Sequence, residues 1–183
     1  MNADNEIITQ TENWVKQVIV KYNICPFARQ EVERGSIRYT VVEQTEVADV
    51  LLELIKECQY LDQNQHTETT LFILPDGFAP FDDFLDLVDL ANDLLFEQGF
   101  EGVYQLATFH PDYCFAGEPQ SDPANYTNRS PYPCLHLIRE ASMARVLDMH
   151  PDPDAIPQRN IEFCRKKGEA FFVNLLAACL KNG

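Results

Sequence analysis

Two periodicities in the apolar positions divide the chain into helical and extended segments. Apolar residues recur every three or four positions, the spacing of one helix face, in five segments: 7–22, 45–62, 81–97, 134–149 and 157–181. Runs of β-branched and apolar residues predict strands in three other segments: 36–43, 69–75 and 102–109. The chain is therefore expected to alternate helices and strands up to residue 109 and to end in two helices.

This order predicts a β-α-β-α-β core with one helix before it and two after it. Strands joined by helical crossovers normally lie parallel, so we expect a small, mostly parallel α/β sheet flanked by helices. With 183 residues the chain has the size of one domain, 1–183. Three strands make a narrow sheet for that length, so a further short strand in a loop, or an antiparallel α+β arrangement such as a ferredoxin-like sandwich, stays open.

The segment 110–133 contains no regular pattern and is rich in Pro, Asn, Asp, Ser and Tyr. Ligands of α/β sheets gather outside the carboxyl ends of strands, and this segment follows the third predicted strand directly. A loop of this length is uncommon in a compact domain and is often a binding loop. We therefore place the candidate site in the loop and in the residues that follow it.

The charge of the chain restricts its partners. The formal net charge is −15, which excludes general nucleic-acid binding and docking on anionic lipid. Residues 105–145 hold four acidic and three basic side chains, so their net charge is only −1. A less acidic segment on an acidic protein favours a small anionic ligand. With no leader sequence and no apolar run of about 20 residues, a cytoplasmic, soluble protein is expected.

The six cysteines form no CxxC pair and fit no zinc-finger spacing. Cys58, Cys164 and Cys179 lie on apolar helix faces and are interpreted as small core residues. One set of residues has side chains that suit zinc, although no spacing in the sequence supports a zinc site: Cys25, His110, Cys114, Cys134 and His136. We therefore expect neither a bound metal nor a cofactor.

The candidate site residues fall into two groups. His110 and His136 are candidates for proton transfer, and Cys25 is a candidate nucleophile or a wall of the pocket. The candidate ligand-binding residues are Asn125, Tyr126, Asn128, Arg129, Ser130, Arg139 and Glu140, of which the two arginines suit carboxylate or phosphate oxygens. The alternatives are structural: the asparagines form turns, the tyrosine pins the loop, and Cys25 packs against Phe27.

Three stretches resemble the signature stretches of a bacterial family known as domain of unknown function (DUF) 1415: WVKQVIVKYNICPFAR, FHPDYCFAG and NYTNRSPYPCLHLIRE. The similarity covers residues 9–180, roughly. The matching positions include Cys25, Pro26, Phe27, His110, Pro111, Tyr113, Phe115, Gly117, Asn125–Ser130, Pro131, Pro133, His136, Arg139 and Glu140. The resemblance implies no activity. It favours the polar loop and Cys25, and it weakens the zinc hypothesis because Cys114 and Cys134 lie where the family is expected to vary.

Three functional hypotheses follow from the sequence. The first is a binder of, or an enzyme acting on, a small anionic molecule through the segment 109–140. The second is a non-catalytic protein-interaction module in which the loop is structural. The third and weakest is a zinc-assisted hydrolase. The sequence decides neither whether turnover occurs nor the oligomeric state.

Overall fold

The computed structural model describes residues 3–181, in which four strands form one sheet with helices on both faces. The strands are β1 (Ile37–Val41), β2 (Thr69–Ile73), β3 (Tyr104–Phe109) and β4 (Cys134–Arg139). The helices are α1 (Ala3–Trp14), α2 (Ala28–Arg34), α3 (Val47–Gln63), α4 (Phe81–Glu97), α5 (Glu140–Met149), α6 (Ile156–Lys167) and α7 (Glu169–Lys181). A π-helical segment (Val15–Val20) continues α1, and a 3₁₀ helix (Pro123–Thr127) lies in the long loop.

The sheet is mixed, with the strand order β1-β2-β4-β3. β1 and β2 are parallel, whereas β4 is antiparallel to both of its neighbours. The mixed α/β architecture is confirmed, but the mostly parallel sheet is not. The crossover helices α3 and α4 do leave β1, β2 and β3 running in one direction. The parallel pairing of β2 with β3 is lost because β4 lies between them.

The strand β4 corrects the prediction of one helix over 134–149, since the helix of this segment begins only at Glu140. Leu135 and Leu137 pack on one face of the sheet, and Cys134 packs on the other. A central strand that is buried on both faces has apolar residues at nearly every position, and such a run is not distinguished from a helix by periodicity.

Two further boundaries differ from the sequence prediction. The predicted helix 157–181 is divided at Gly168, whose φ of 81° lies in the left-handed region that favours glycine. The segment after the first predicted helix contains the short helix α2, which the pattern did not indicate. Both α2 and α6 contribute walls to the site described below.

The sheet separates two apolar cores. On one face, Leu54 of α3 and Phe84 of α4 pack with Phe72 of β2. On the other face, Trp14 of α1 and Cys179 of α7 pack in the core that contains other residues of β2 and β4. The burial of Cys58, Cys164 and Cys179 confirms their interpretation as core residues.

Arg139, a predicted ligand-binding residue, instead stabilises the turn between α3 and β2. Its guanidinium donates hydrogen bonds to the carbonyl oxygens of Leu61 (2.5 Å) and Thr67 (3.1 Å). It also donates to the hydroxyl of Tyr104 at 3.3 Å, and that hydroxyl donates to Asp62 at 2.6 Å. These partners are all protein groups, so the guanidinium has a clear structural role.

We expect Arg139→Met to lower the free energy of unfolding by about 2–4 kcal/mol, because it leaves several carbonyl oxygens without their charged donor. The measurement is urea unfolding followed by circular dichroism. Lys166→Met is the matched control, since Lys166 is exposed and its change is expected to cost less than about 0.5 kcal/mol. Equal effects of the two substitutions would contradict the structural role of Arg139.

Candidate functional site

A cavity of about 560 Å³ lies on the sheet face that carries His136, and we call it the sheet cavity. Its floor consists of strand residues: Ile37, Thr69, Leu71, Gln105, Ala107, Phe109, His136 and Ile138. Its walls come from α1 and the π-helical segment, from residues 24–28, from the loop, from α5 and from α6. The volume lies in the range of small-molecule pockets, which is about 300–1,000 Å³.

The cavity lies over β3 and β4, because the side chains of the sheet are small there and the helices do not pack closely on the strands. Ala107 is the register partner of His136 and fills little of the space above the sheet. At the end of β3, Trp14 closes the wall with its ring 5.0 Å from that of Phe109. Helix α6 packs mainly against the 3₁₀ helix and α7, so it forms a wall at a distance from the strands.

His136 is held in the floor by Thr69 of the neighbouring strand. The Oγ1 of Thr69 lies 2.6 Å from Nε2 of His136 and donates its proton to the carbonyl oxygen of Leu137 at 2.5 Å. A hydroxyl has one proton, so Nε2 of His136 must be the donor in the first contact. The imidazole is therefore the Nε2–H tautomer, and Nδ1 carries a lone pair.

The imidazole of His136 is neutral near neutral pH. Burial disfavours the charged form and lowers the pKa of His136 from its ordinary 6.5 to about 4. A group with that pKa is a weak base at neutral pH, but it remains a hydrogen-bond acceptor at Nδ1. The geometry thus supplies an uncharged acceptor in a largely apolar surrounding.

Cys25 lies in the same cavity wall, just before α2, together with Phe27 and Ala28. Burial raises the pKa of the Cys25 thiol, although backbone N–H groups of Phe27 and Ala28 lower it. The thiol is therefore protonated at neutral pH, which reduces its reactivity as a nucleophile. The structure brings Cys25 and His136, two of the candidate catalytic residues, to one cavity.

His110, the third candidate catalytic residue, does not line the sheet cavity. It is fully buried, and its Nδ1 accepts a hydrogen bond from the backbone N–H of Asp112 at 2.9 Å. Its Nε2 then donates to the carbonyl oxygen of Phe78 at 3.0 Å. Burial also lowers the pKa of His110. Both ring nitrogens are used in binding the start of the loop to the chain before α4.

Asn128 is the candidate ligand-binding residue that lines the cavity. Its Nδ2 donates to the carbonyl oxygen of Thr108 at 3.0 Å, and its Oδ1 lies 3.1 Å from the Thr127 hydroxyl, whose one proton is shared with the carbonyl oxygen of Ala124 at 3.0 Å. Asn125 is buried away from the cavity, where its Oδ1 accepts from the N–H of Phe115 at 3.0 Å. Both amides mainly hold the loop in its conformation.

The guanidinium of Arg129 is also used within the loop. It donates to the carbonyl oxygens of Tyr113 (3.1 Å) and Gln120 (2.8 Å), and it lies 4.5 Å from the centre of the Tyr126 ring. The carbonyl of Arg129 in turn accepts from the indole N–H of Trp14 at 3.1 Å. Among the remaining candidates, none lines the sheet cavity: Tyr126, Ser130, Arg139 and Glu140.

The candidate site residues omitted six polar residues that line the cavity: Thr69, Gln105, Glu118, Thr127, Asn160 and Arg165. Thr69 precedes an apolar run and carries no chemical motif; only the pairing of β2 with β4 shows its contact with His136. Asn160 and Arg165 lie on α6, which is distant in sequence from the loop. Arg165 pairs with Asp122 at 2.6 Å and with Glu118 at 3.3 Å, and so joins α6 to the loop. No local sequence signal identifies these contacts.

Neither a metal site nor a membrane-spanning helix is supported within residues 3–181. No group of three or more histidine, cysteine, aspartate or glutamate side chains is placed to hold a metal ion. The residues weighed for zinc are thus not assembled there. None of the described helices combines the length and apolar character needed to cross a bilayer.

We expect the neutral state of His136 to make stability depend on pH. The unfolded imidazole takes up a proton near pH 6.5 and the folded one only near pH 4, so lowering the pH through this window favours unfolding. The free energy of unfolding that the wild type loses over this window is at most about 3 kcal/mol. His136→Gln removes this titrating group. The free energy of unfolding of the wild type should therefore exceed that of the variant by less at about pH 4.5 than at about pH 7.

The measurement is urea unfolding of both proteins at the two pH values. His110 and the carboxylates are present in both proteins, and their contributions cancel in the comparison. A wild-type advantage that stays constant over the pH range would contradict the assignment of a neutral, half-buried His136.

The comparisons with known proteins identify a family and no activity. No curated protein and no solved structure matches the chain. The profile of the family described as "Protein of unknown function (DUF1415)" matches residues 6–174, which include every residue that lines the sheet cavity. The chain therefore belongs to the DUF1415 family.

Proposed function

We propose that the protein binds a small, predominantly apolar molecule in the sheet cavity. The observation that carries the proposal is the cavity itself, a hollow of about 560 Å³ lined mainly by apolar side chains of the sheet, α1 and α6. Binding pockets for small molecules combine such a lining with a few placed polar groups. Here the polar groups include His136, Asn128 and the thiol of Cys25.

This proposal keeps the segment 109–140 as part of the site but changes the chemistry of the ligand. An anionic ligand remains a prediction from the sequence, and the guanidinium groups on which it depended donate to protein carbonyl oxygens. Arg165 at the cavity wall already pairs with two carboxylates. The contacts therefore favour a ligand held by apolar area rather than by ionic pairing.

A second proposal is catalysis in the same cavity, with Cys25 and His136 as the reacting groups. It is favoured by one observation, that both side chains line one hollow. The raised pKa of Cys25 and the lowered pKa of His136 both reduce reactivity at neutral pH. Binding is consequently the better supported function.

The hypothesis of a structural loop describes much of the segment 110–133. The side chains of His110, Asn125 and Arg129 are used in bonds within the loop and to neighbouring backbone. This hypothesis gives no account of the hollow beside the loop. A structural loop that forms one wall of a binding cavity agrees with both observations.

We expect the neutral fluorescent probe N-phenyl-1-naphthylamine to bind at one saturable site, with increased emission. Ala107→Phe should weaken this binding at least about tenfold, because the added ring occupies the floor of the cavity next to His136. Ala141→Phe is the matched control: this residue is exposed on α5 and does not line the cavity.

The measurement is a fluorescence titration of the wild type and both variants, with circular dichroism to establish that they are folded. Equal affinity of the two folded variants for the probe would contradict the cavity as the binding site. Binding that does not saturate would contradict a defined pocket.

We also expect the bound probe to protect Cys25 from alkylation. In a Cys114→Ser background, Cys25 is the half-buried cysteine that remains, since the other four are buried. N-Ethylmaleimide should modify it slowly near neutral pH and faster as the pH increases, because burial raises the pKa of its thiol. The measurement is the rate of mass gain by mass spectrometry.

At a saturating concentration of the probe this rate should decrease severalfold. The double variant Cys25→Ala, Cys114→Ser is the control and should gain little mass. An unchanged rate with the probe bound would place the probe outside the sheet cavity.

A further inference from the structure

His136 presents the sheet cavity with an acceptor that the protein itself does not use. Nδ1 of His136 accepts no hydrogen bond from the residues 3–181. Over the same residues, one side-chain nitrogen or oxygen is both buried and unpartnered, and it is Oγ1 of Thr40. Nδ1 is therefore accessible, and its side chain lines the cavity.

Three other polar side chains of the cavity are hydrogen-bonded within the protein: those of Thr69, Asn160 and Asn128. Thr69 donates to a carbonyl oxygen and accepts from His136. The amide of Asn160 donates to the carbonyl of Ile24 at 2.8 Å and accepts from Arg159 at 2.7 Å. The amide of Asn128 donates to Thr108 and shares the proton of the Thr127 hydroxyl with the carbonyl oxygen of Ala124. Nδ1 of His136 is thus an unused acceptor of a half-buried side chain, whereas the amide of Gln105, also in the floor, is exposed to solvent.

Thr69 fixes the chemical nature of this acceptor. Because the Thr69 proton lies on the carbonyl oxygen of Leu137, Nε2 of His136 keeps its own proton and Nδ1 has none. A carboxylate, carbonyl or ether oxygen placed against Nδ1 would bring two lone pairs together. A hydroxyl or an N–H group would form a hydrogen bond.

We propose that the ligand carries a neutral O–H or N–H donor that hydrogen-bonds Nδ1 of His136, so that an apolar molecule with a hydroxyl or amine donor is the class bound. This inference rests on the proposed function and names its ligand class. The site selects against carboxylates because Arg165, a cation of the cavity wall, is paired with Glu118 and Asp122. It selects against ethers because they lack the donor.

Three matched naphthyl probes test the inference by isothermal titration calorimetry. We expect 2-naphthol to bind at least about tenfold tighter than 2-methoxynaphthalene, which has the same ring but no donor. We expect 2-naphthoate to bind weakest of the three. In His136→Leu the preference for 2-naphthol over 2-methoxynaphthalene should fall to about onefold, since the acceptor is gone.

A second measurement uses the unaltered protein and so does not depend on the folding of His136→Leu. Long-range ¹H–¹⁵N spectra distinguish protonated from unprotonated imidazole nitrogens. We expect Nδ1 of His136 to be unprotonated in the free protein and to shift on addition of 2-naphthol but not of 2-methoxynaphthalene. A protonated Nδ1 in the free protein, or equal shifts with both probes, would overturn the inference.

The outcomes separate this inference from the proposed function. Equal affinities of 2-naphthol and 2-methoxynaphthalene, with both weakened in Ala107→Phe, would overturn the role of His136 and leave the binding cavity intact. Failure of all three probes to bind, together with failure of N-phenyl-1-naphthylamine, would overturn both. A preference for 2-naphthol that persists in folded His136→Leu would overturn the inference alone.

Discussion

The antiparallel pairing of β4 between β2 and β3 is the constraint on which the rest of the structure depends. A strand that is hydrogen-bonded on both sides is fixed in register, so the position of each of its side chains is determined. The register places His136 between Leu71 and Ala107, and it brings Thr69 within hydrogen-bond distance of the imidazole. The tautomer of His136 and the hollow above Ala107 are therefore consequences of one strand pairing.

The same pairing explains the composition of the long loop. Because β4 runs antiparallel to β3, the chain must reverse its direction in residues 110–133. No α-helix or strand in this segment pairs its backbone groups. Buried backbone groups along such a path need partners, since an unpaired buried polar group costs about 1–3 kcal/mol. Asn125 and Arg129 supply those partners. Polar residues that suggest ligand chemistry in the sequence thus satisfy the backbone of the loop.

How much the sequence could predict depended on whether a property is local. The helices α3 and α4 and the strands β1 to β3 follow from local periodicity and were predicted. β4 was not, because burial on both faces removes its alternation. Of the candidate site residues, Cys25, Asn128 and His136 line the cavity, which lies beside the loop. The use of Arg139 was unpredictable from its neighbours, since its carbonyl partners lie more than 70 residues away.

The arrangement divides affinity from specificity. Burial of apolar surface stabilises a bound ligand by about 25 cal/mol per Å², whatever the ligand is. The lining of the cavity therefore supplies affinity without discriminating between apolar ligands. A single placed acceptor acts differently, because a ligand that leaves it unpaired loses the solvation of that group without compensation. The largely apolar lining strengthens this effect, since a hydrogen bond is stronger in an apolar surrounding than in water. The selectivity of the site is therefore concentrated on Nδ1 of His136, and Thr69 controls it by fixing the tautomer.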